Sequence, residues 1–420
     1  MAEFESLLSA KTPGASDQLA LKRTITLPLL LFYGLGTILG AGIYVLVGQV
    51  AGMAGQYAPF SFVIAATVAG FTGFSYAELS ARFPLSAGEA VYVQEAFARP
   101  SWAILVGFLV ACSGIVSAAA VTRGAVGYIQ VFVDLPTSAL VVCLVLILAA
   151  VAIWGTTESL ITAAIFTLIE IFGLALIIWV GRDAFSAQNF ALASFIPDSL
   201  AVNWEGIFVG GFLAFFAFIG FEDMVNVAEE VKQPQRTLPV AILLAIAIST
   251  LIYLSIAIVA IHLASAAELV ASDAPLAFLF QRATGQNPWL ITGISVFAVI
   301  NGALIQIIMV SRLLFGMSRK KWLPAILSKL HSKTQTPVIA IAGVVVLVIA
   351  FALFLPLVSL ASATSFALLL VFILVNSALI VIKKRQPAAP GVRVYPFWVP
   401  IFGVLSCLAL LLGQLTSLLS

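Results

Sequence analysis

The sequence predicts an all-α integral membrane protein of about eleven transmembrane helices. They are arranged as a 5+5 inverted repeat with helices 1 and 6 broken, plus one extra helix. Three observations carry this prediction. The 420 residues are 62% hydrophobic and only 9% charged, with a mean hydropathy of +1.16, which no soluble domain of this length matches. Apolar runs of roughly 20 residues recur from end to end, each long enough to cross about 30 Å of hydrocarbon. Two of these runs contain features that a lipid-embedded helix tolerates poorly: a glycine cluster at 34–44, and Gly220 followed by the carboxylates Glu222 and Asp223.

Hydropathy places the spans at roughly 26–50, 58–82, 102–131, 138–155, 160–182 and 206–231, then 238–263, 289–316, 337–356, 359–382 and 396–418. The third and eighth runs exceed what a bilayer needs and should tilt. The apolar piece 274–284 is too short to cross and reads as an interfacial or re-entrant helix. Residues 1–24 form a polar tail, expected to be cytoplasmic, before a run too long for a signal-peptide core, so no cleavage is expected. The ten-helix core then covers 25–385, with repeat 1 at about 25–183 and repeat 2 at about 204–385, and 386–420 supplies a link and the eleventh helix.

Orientation follows from the basic residues, which concentrate on the cytoplasmic side of bacterial-type membranes. With the N-terminus inside, sixteen of the 20 Lys and Arg residues fall on the inner side. Arg182 and Arg282 remain in outer loops, and Arg123 and Arg312 lie within or near helix ends. The expected location is the cell (inner) membrane, with an odd number of spans leaving the C-terminus outside. The net charge of +2 carries no implication of nucleic acid.

Gly34, Gly36, Gly40 and Gly42 fall within nine residues. Glycine loses the most backbone entropy on ordering, and in lipid a freed N–H or C=O finds no water. Such a segment persists where its backbone lines a cavity, or where small residues let helices approach closely through Gly34, Gly36 and Gly40. The second break, at 215–223, lies five spans later in an oppositely running helix, and paired breaks of this kind point to a transporter's binding site. A helix start presents orphan N–H groups to anions and a helix end presents carbonyls to cations. An amino acid zwitterion carries one charge of each sign. The candidate carboxylate site is therefore the backbone around Ile38, Gly40, Ala41, Gly42 and Ile43. The candidate ammonium site is the backbone around Phe216, Ala217, Phe218, Ile219 and Gly220. Phe215, Phe216, Phe218 and Phe221 either wall this site or belong to the ordinary core.

Carboxylates at membrane depth are functional candidates by default. Glu170 lies midway along the fifth span, and Glu222 and Asp223 follow the sixth-span break, projecting about 100° apart. These three are the candidate coupling residues; the alternative is a neutral, hydrogen-bonded carboxyl joining helices. Glu78, Glu229 and Glu230 read as interfacial charges, and Asn301 and Gln306 as cross-helix hydrogen-bonding groups. Enzymatic signals are missing: His262 and His331 are the two histidines, with no Cys/His metal spacing and no phosphate loop before a lysine. Cys112, Cys143 and Cys407 sit in apolar runs as reduced packing residues. No catalytic residue, resident cofactor or metal is expected, with a proton or sodium as the possible coupling ion.

Several stretches resemble the amino acid–polyamine–organocation permeases, which share the leucine-transporter fold. GLGTILGAGIYVLVG (34–48) resembles that superfamily's first span, G-x-G-x-x-x-G-x-G-I followed by Phe or Tyr. FFAFIGFEDMVNVAEEVKQPQRTLP (215–239) resembles its sixth span and the following loop. NGALIQIIMVSRLLFGMSRKKWLP (301–324), KTQTP (333–337) and PGVRVYPFWVPIFGVLSC (390–407) resemble the eighth span, its loop and the link into the eleventh. The resemblance implies transport of amino acids or related amines by alternating access, as symport or antiport. It also implies carboxylate binding at Ala41–Gly42 and ammonium binding at the sixth-span break. The acidic sixth-span position of some relatives matches Glu222.

Two departures matter. The family often places lysine at the position aligned with Glu170, so the coupling ion is open here. Relatives commonly have twelve spans rather than eleven. Light-chain relatives use a cysteine after the third span to join a glycoprotein; residues 132–137 contain none, so no disulfide-linked heavy chain is expected. The partners expected are a small amino acid or amine and the lipid bilayer. A membrane sensor that binds amino acids without moving them is the alternative function.

Overall fold

A computed structural model describes residues 23–419 apart from Ala41, residues 86–87, 155–159 and 187–202, Lys333 and Gln335. The tail through residue 22 and the candidate site residue Ala41 thus lie outside the described residues. Every regular element among the described residues is helical. Eight helical stretches are long and apolar enough to cross a membrane, and three shorter apolar helices accompany them: Leu27–Leu39, Ala164–Val180 and Val338–Phe354. This is an all-α membrane protein.

The first expected span is split into α1 (Leu27–Leu39) and α2 (Gly42–Ala54). It is followed by α3 (Ala58–Arg82), α4 (Gly88–Phe97), α5 (Pro100–Ile129), α6 (Thr137–Trp154) and α7 (Leu160–Val180). The sixth span begins as α8 (Trp204–Phe215) and continues in two 3₁₀ segments, Phe216–Phe218 and Glu222–Glu230. The chain then forms α9 (Pro234–Leu263), two short helices α10 (Ala266–Val270) and α11 (Pro275–Thr284), α12 (Trp289–Arg319), α13 (Val338–Phe354), α14 (Leu357–Arg385) and α15 (Trp398–Leu419).

Proline opens α1, α3, α5, α9 and α11, where its missing N–H costs nothing and its φ suits the first turn. At α9 this start lies four residues before the apolar run, because Pro234–Thr237 is polar and hydropathy does not register it. Gln233 turns the chain there with a left-handed φ of 49°. Hydropathy also misses α4, a short helix in the loop between the second and third spans, outside the membrane-crossing segments. The apolar piece at 274–284 is helical as expected, with Leu276, Ala277 and Leu279 buried. Ahead of it stands α10, held by a capping box between Ser265 and Glu268.

The broken helices occupy the centre. α1 packs along α7 and α9, α8 packs along α2 and α3, and α12 and α14 close the bundle against α5. At one end the two broken spans are tied by an isolated parallel bridge between Ile25 and Val231. There Glu230 O accepts from the N–H groups of Thr24 and Ile25, and Lys232 N–H donates to Ile25 O at 2.8 Å.

Glu78 corrects its sequence reading. It is no interfacial charge: it is fully buried. Its Oε1 accepts from Arg82 Nη2 at 2.8 Å and its Oε2 pairs with Lys383 Nζ at 2.8 Å. Tyr395 N–H also donates to Oε2 at 2.9 Å, and Arg82 Nη1 donates to Gln386 O at 3.0 Å. The link before α15 folds back over this carboxylate, which hydropathy cannot register.

Candidate functional site

The glycine cluster serves two purposes at its two ends. α1 runs regularly through Leu39, and Gly40 keeps helical dihedrals (φ −64°, ψ −30°) before α2 starts at Gly42. Gly34 and Gly36 are packing residues. A Cβ on Gly34 would lie 2.3 Å from Met224 Sδ, and one on Gly36 2.3 Å from Thr167 Oγ1. Ile38 is in the last turn of α1, and Ile43 is buried in the first turn of α2. The first N–H groups of a helix such as α2 lack intrahelical acceptors.

The sixth-span break is longer. After Phe218 the chain turns extended at Ile219 (φ −63°, ψ 134°), and Gly220 adopts φ +125°, a conformation open to glycine and strained for other residues. A Cβ there would also meet Thr37 O at 2.6 Å. Thr37 Oγ1 spans the gap, lying 2.9 Å from Gly34 O and 3.0 Å from Gly220 O.

The two breaks touch. A Cβ on Gly42 would lie 2.2 Å from Ala217 Cα. The Tyr253 hydroxyl on α9 sits 2.7 Å from both Ile38 O and Ala217 O, joining one carbonyl from each broken span. Ala217 O, a candidate ammonium acceptor, thus already has a protein donor.

A small cavity opens at this junction, with a water-accessible volume of about 20 Å³. The broken spans contribute Thr37, Ile38, Gly42, Phe216 and Ile219 to its lining. The opposite wall comes from Ser117 and Val121 on α5 and from Gly302, Ile305 and Gln306 on α12. Four sequence candidates therefore line the cavity: Ile38, Gly42, Phe216 and Ile219. Gly40, Ile43, Ala217, Phe218 and Gly220 stand behind the lining. Phe215 and Phe221 pack on Phe372, and Phe218 packs on Tyr253, so these three rings belong to the core. Sequence reasoning missed the α5 and α12 wall. Its only signal is that 117 and 121, and 302 and 306, are one helical turn apart, a spacing shared by many pairs.

Glu170 is buried behind Gly40. Its Oε1 lies 3.6 Å from where a Gly40 Cβ would be and accepts a long bond, 3.4 Å, from Asn301 Nδ2. Its Oε2 has no hydrogen-bond partner among the described residues. Tyr44 OH donates to the Glu170 main-chain carbonyl at 2.7 Å. Asn301 thus bonds across helices as its sequence position suggested, whereas Gln306 faces the cavity. An incompletely bonded buried carboxyl must hold a proton or a cation to avoid a large desolvation cost.

Glu222 and Asp223 lie away from the cavity wall. Glu222 Oε2 accepts from Gly220 N–H at 2.9 Å, and Asp223 Oδ2 is buried without a partner among the described residues. Glu89, on α4, is a third buried carboxyl in this region, with Tyr76 OH 3.3 Å from its Oε1. Burial pushes the Glu89 carboxyl up from 4.5 to about 7, with the neighbouring Asp223 adding to the rise while its own backbone N–H and Tyr76 oppose it. A raised folded-state value means stability is fully present below about pH 4.5 and is lost as pH climbs through about 7. Glu89→Gln should therefore melt higher than the parent at pH 8, by no more than about 3 kcal/mol of stability, and match it at about pH 4. A melting difference that stays constant between these pH values would contradict this assignment.

Comparison with known proteins decides the family. Residues 25–416 match the sequence model of amino acid permeases. The chain belongs to the amino acid permease family. Among this family member's relatives is the branched-chain amino acid permease BcaP of Bacillus subtilis (strain 168), 29% identical over 95% of this chain and 89% of that protein. The methylthioribose transporter of the same organism is 28% identical over 93% of this chain and 87% of that protein. The vacuolar cationic amino acid transporter 2 of Arabidopsis thaliana is 28% identical over 89% of this chain, which spans 62% of that longer protein.

Proposed function

We propose that this chain is a secondary active transporter that moves amino acids across the membrane by alternating access, through proton-coupled symport or exchange. The observation that carries the reading is the cavity at the contact between the two helix breaks, where Gly42 meets Ala217. In this proposal the N–H groups at Ala41, Gly42 and Ile43 receive the substrate carboxylate, and carbonyls of the 216–219 segment receive its ammonium. The division into repeats at about 25–183 and 204–385, a cytoplasmic N-terminus and an outer C-terminus belong to the same proposal. The relatives reported above are named as permeases or transporters, which favours transport over sensing.

Uptake of radiolabelled amino acids into proteoliposomes, with and without a pH gradient, tests the proposal. Accumulation driven by an inward proton gradient, or counterflow against preloaded amino acid, is expected. Failure to move any amino acid in either mode would sink it.

Glu170 is the proposed coupling group because its carboxyl stands beside the first-span break, with Oε1 close to Gly40 and Oε2 left without a partner among the described residues. Glu170→Gln keeps the shape and the Asn301 contact but cannot ionise. The pH dependence of transport should flatten in this variant while substrate affinity changes less than about threefold, under about 0.7 kcal/mol. An unchanged pH profile would move the coupling role to Glu222 or Asp223.

A further inference from the structure

We infer that the cavity selects neutral amino acids over cationic and anionic ones, and that Gln306 is the residue that sets this preference. The inference rests on the transport reading above and deepens it.

None of the residues lining the cavity is charged. The buried carboxylates nearby are turned elsewhere. Glu170 sits behind Gly40 and bonds Asn301, and Glu222 folds back on Gly220 N–H. On α5, Arg123 donates to Ala352 O at 2.9 Å. On α12, Arg312 is exposed. A lysine or arginine side chain entering the cavity would leave water without a counter-charge, and a glutamate side chain would do so without a cation. An unpaired charge removed from water costs several kcal/mol or more, so charged substrates are penalised whatever their fit.

Gln306 supplies the chemistry that remains. It lies one helical turn from Gly302 on α12, facing Ser117 and Val121 on α5. A Cβ on Gly114 would stand 2.3 Å from Val310 Cγ2 and 3.2 Å from Gln306 Oε1, so Gly114 lets α12 approach α5 closely and leaves the carboxamide a tight fit beside it. Neither the Gln306 carboxamide nor the Ser117 hydroxyl forms a side-chain hydrogen bond to another described residue. A carboxamide offers both donors and acceptors without charge. It can therefore bind a neutral polar side chain directly, or hold water beside an aliphatic one packed on Ile305 and Val121. Its isostere glutamate would place a negative charge at the same point.

The test is a competition series in proteoliposomes with labelled alanine, leucine, serine, glutamine, lysine and glutamate. The parent should take up the best neutral substrate at least tenfold faster than lysine or glutamate. Gln306→Glu should raise lysine uptake relative to that neutral substrate by at least tenfold. Gln306→Leu should lower serine and glutamine relative to leucine. Thermal stabilisation of the purified protein by each amino acid reads the same ratios in a variant that binds without turning over. Equal uptake of lysine or glutamate by the parent would overturn the neutral selection while leaving amino acid transport standing. An unchanged lysine-to-neutral ratio in Gln306→Glu, in uptake or in stabilisation, would overturn the role of Gln306. Absence of any amino acid uptake by the parent would instead remove the transport reading on which this inference stands.

Discussion

Glu78→Ala should lower stability by about 3–5 kcal/mol, the usual cost of breaking a buried ion pair from one side. The side chains of Arg82 and Lys383 are almost as buried as Glu78 itself, at 3% and 4% exposed. Removing the carboxylate strands two cations, frees Tyr395 N–H and loosens the link into α15. The measurement is thermal unfolding in detergent, followed by intrinsic fluorescence. The partner test is Glu78→Met combined with Lys383→Met, which removes one charge of each sign and leaves Arg82 with its bond to Gln386 O. The double variant should lose less than the sum of the two single changes. Additive losses would mean that the charges contribute independently and that the network is not a unit.

Gly42→Ala should abolish most transport while leaving a folded protein. The added methyl would fall 2.2 Å from Ala217 Cα and 2.6 Å from its Cβ. Backbone cannot swing aside as a flexible side chain does, so the two breaks must separate. Overpacking of this kind costs about 1–3 kcal/mol, and it acts at the point where the cavity is formed. Uptake should fall at least tenfold. Gly70→Ala on α3 is the matched control, because its Cβ meets nothing within 4 Å and alanine improves a helix interior by roughly 0.5–1 kcal/mol. Normal uptake by Gly42→Ala would mean that the breaks do not need this close approach.

Much of the fold is legible in the sequence because lipid imposes a strong rule. Every spanning segment must be apolar and must satisfy its own backbone, so the spans stand out as runs of the right length. The exceptions are informative for the same reason. Two runs interrupted by glycine, five spans apart, mark 34–44 and 215–223 from the sequence alone; in the structure α1 ends at Leu39 and α2 starts at Gly42, and the sixth-span break falls at Ile219–Gly220. The polar elements are less legible. Helix α4 and the first turn of α9 escape a hydropathy reading because they are not apolar. Glu78 looks interfacial because its cover comes from a segment about 300 residues later, where Tyr395 donates to it.

What the sequence determines by itself is the membrane class, the approximate spans, the two interrupted helices and the family they belong to. Each follows from local composition or from motifs contiguous in the chain. What only the tertiary structure decides is which side chains meet. It divides the glycine cluster between packing at Gly34 and Gly36 and close approach at Gly42. It sends Phe215, Phe218 and Phe221 into the core, and brings Ser117 and Gln306 to face the breaks. It also places Glu89 among the buried carboxyls of the sixth span. The physical reason is that an apolar helix without a polar face leaves its rotation unspecified. In a bilayer both the lipid and the neighbouring helices accept the same side chains, so the register of each helix is set by its contacts with the others.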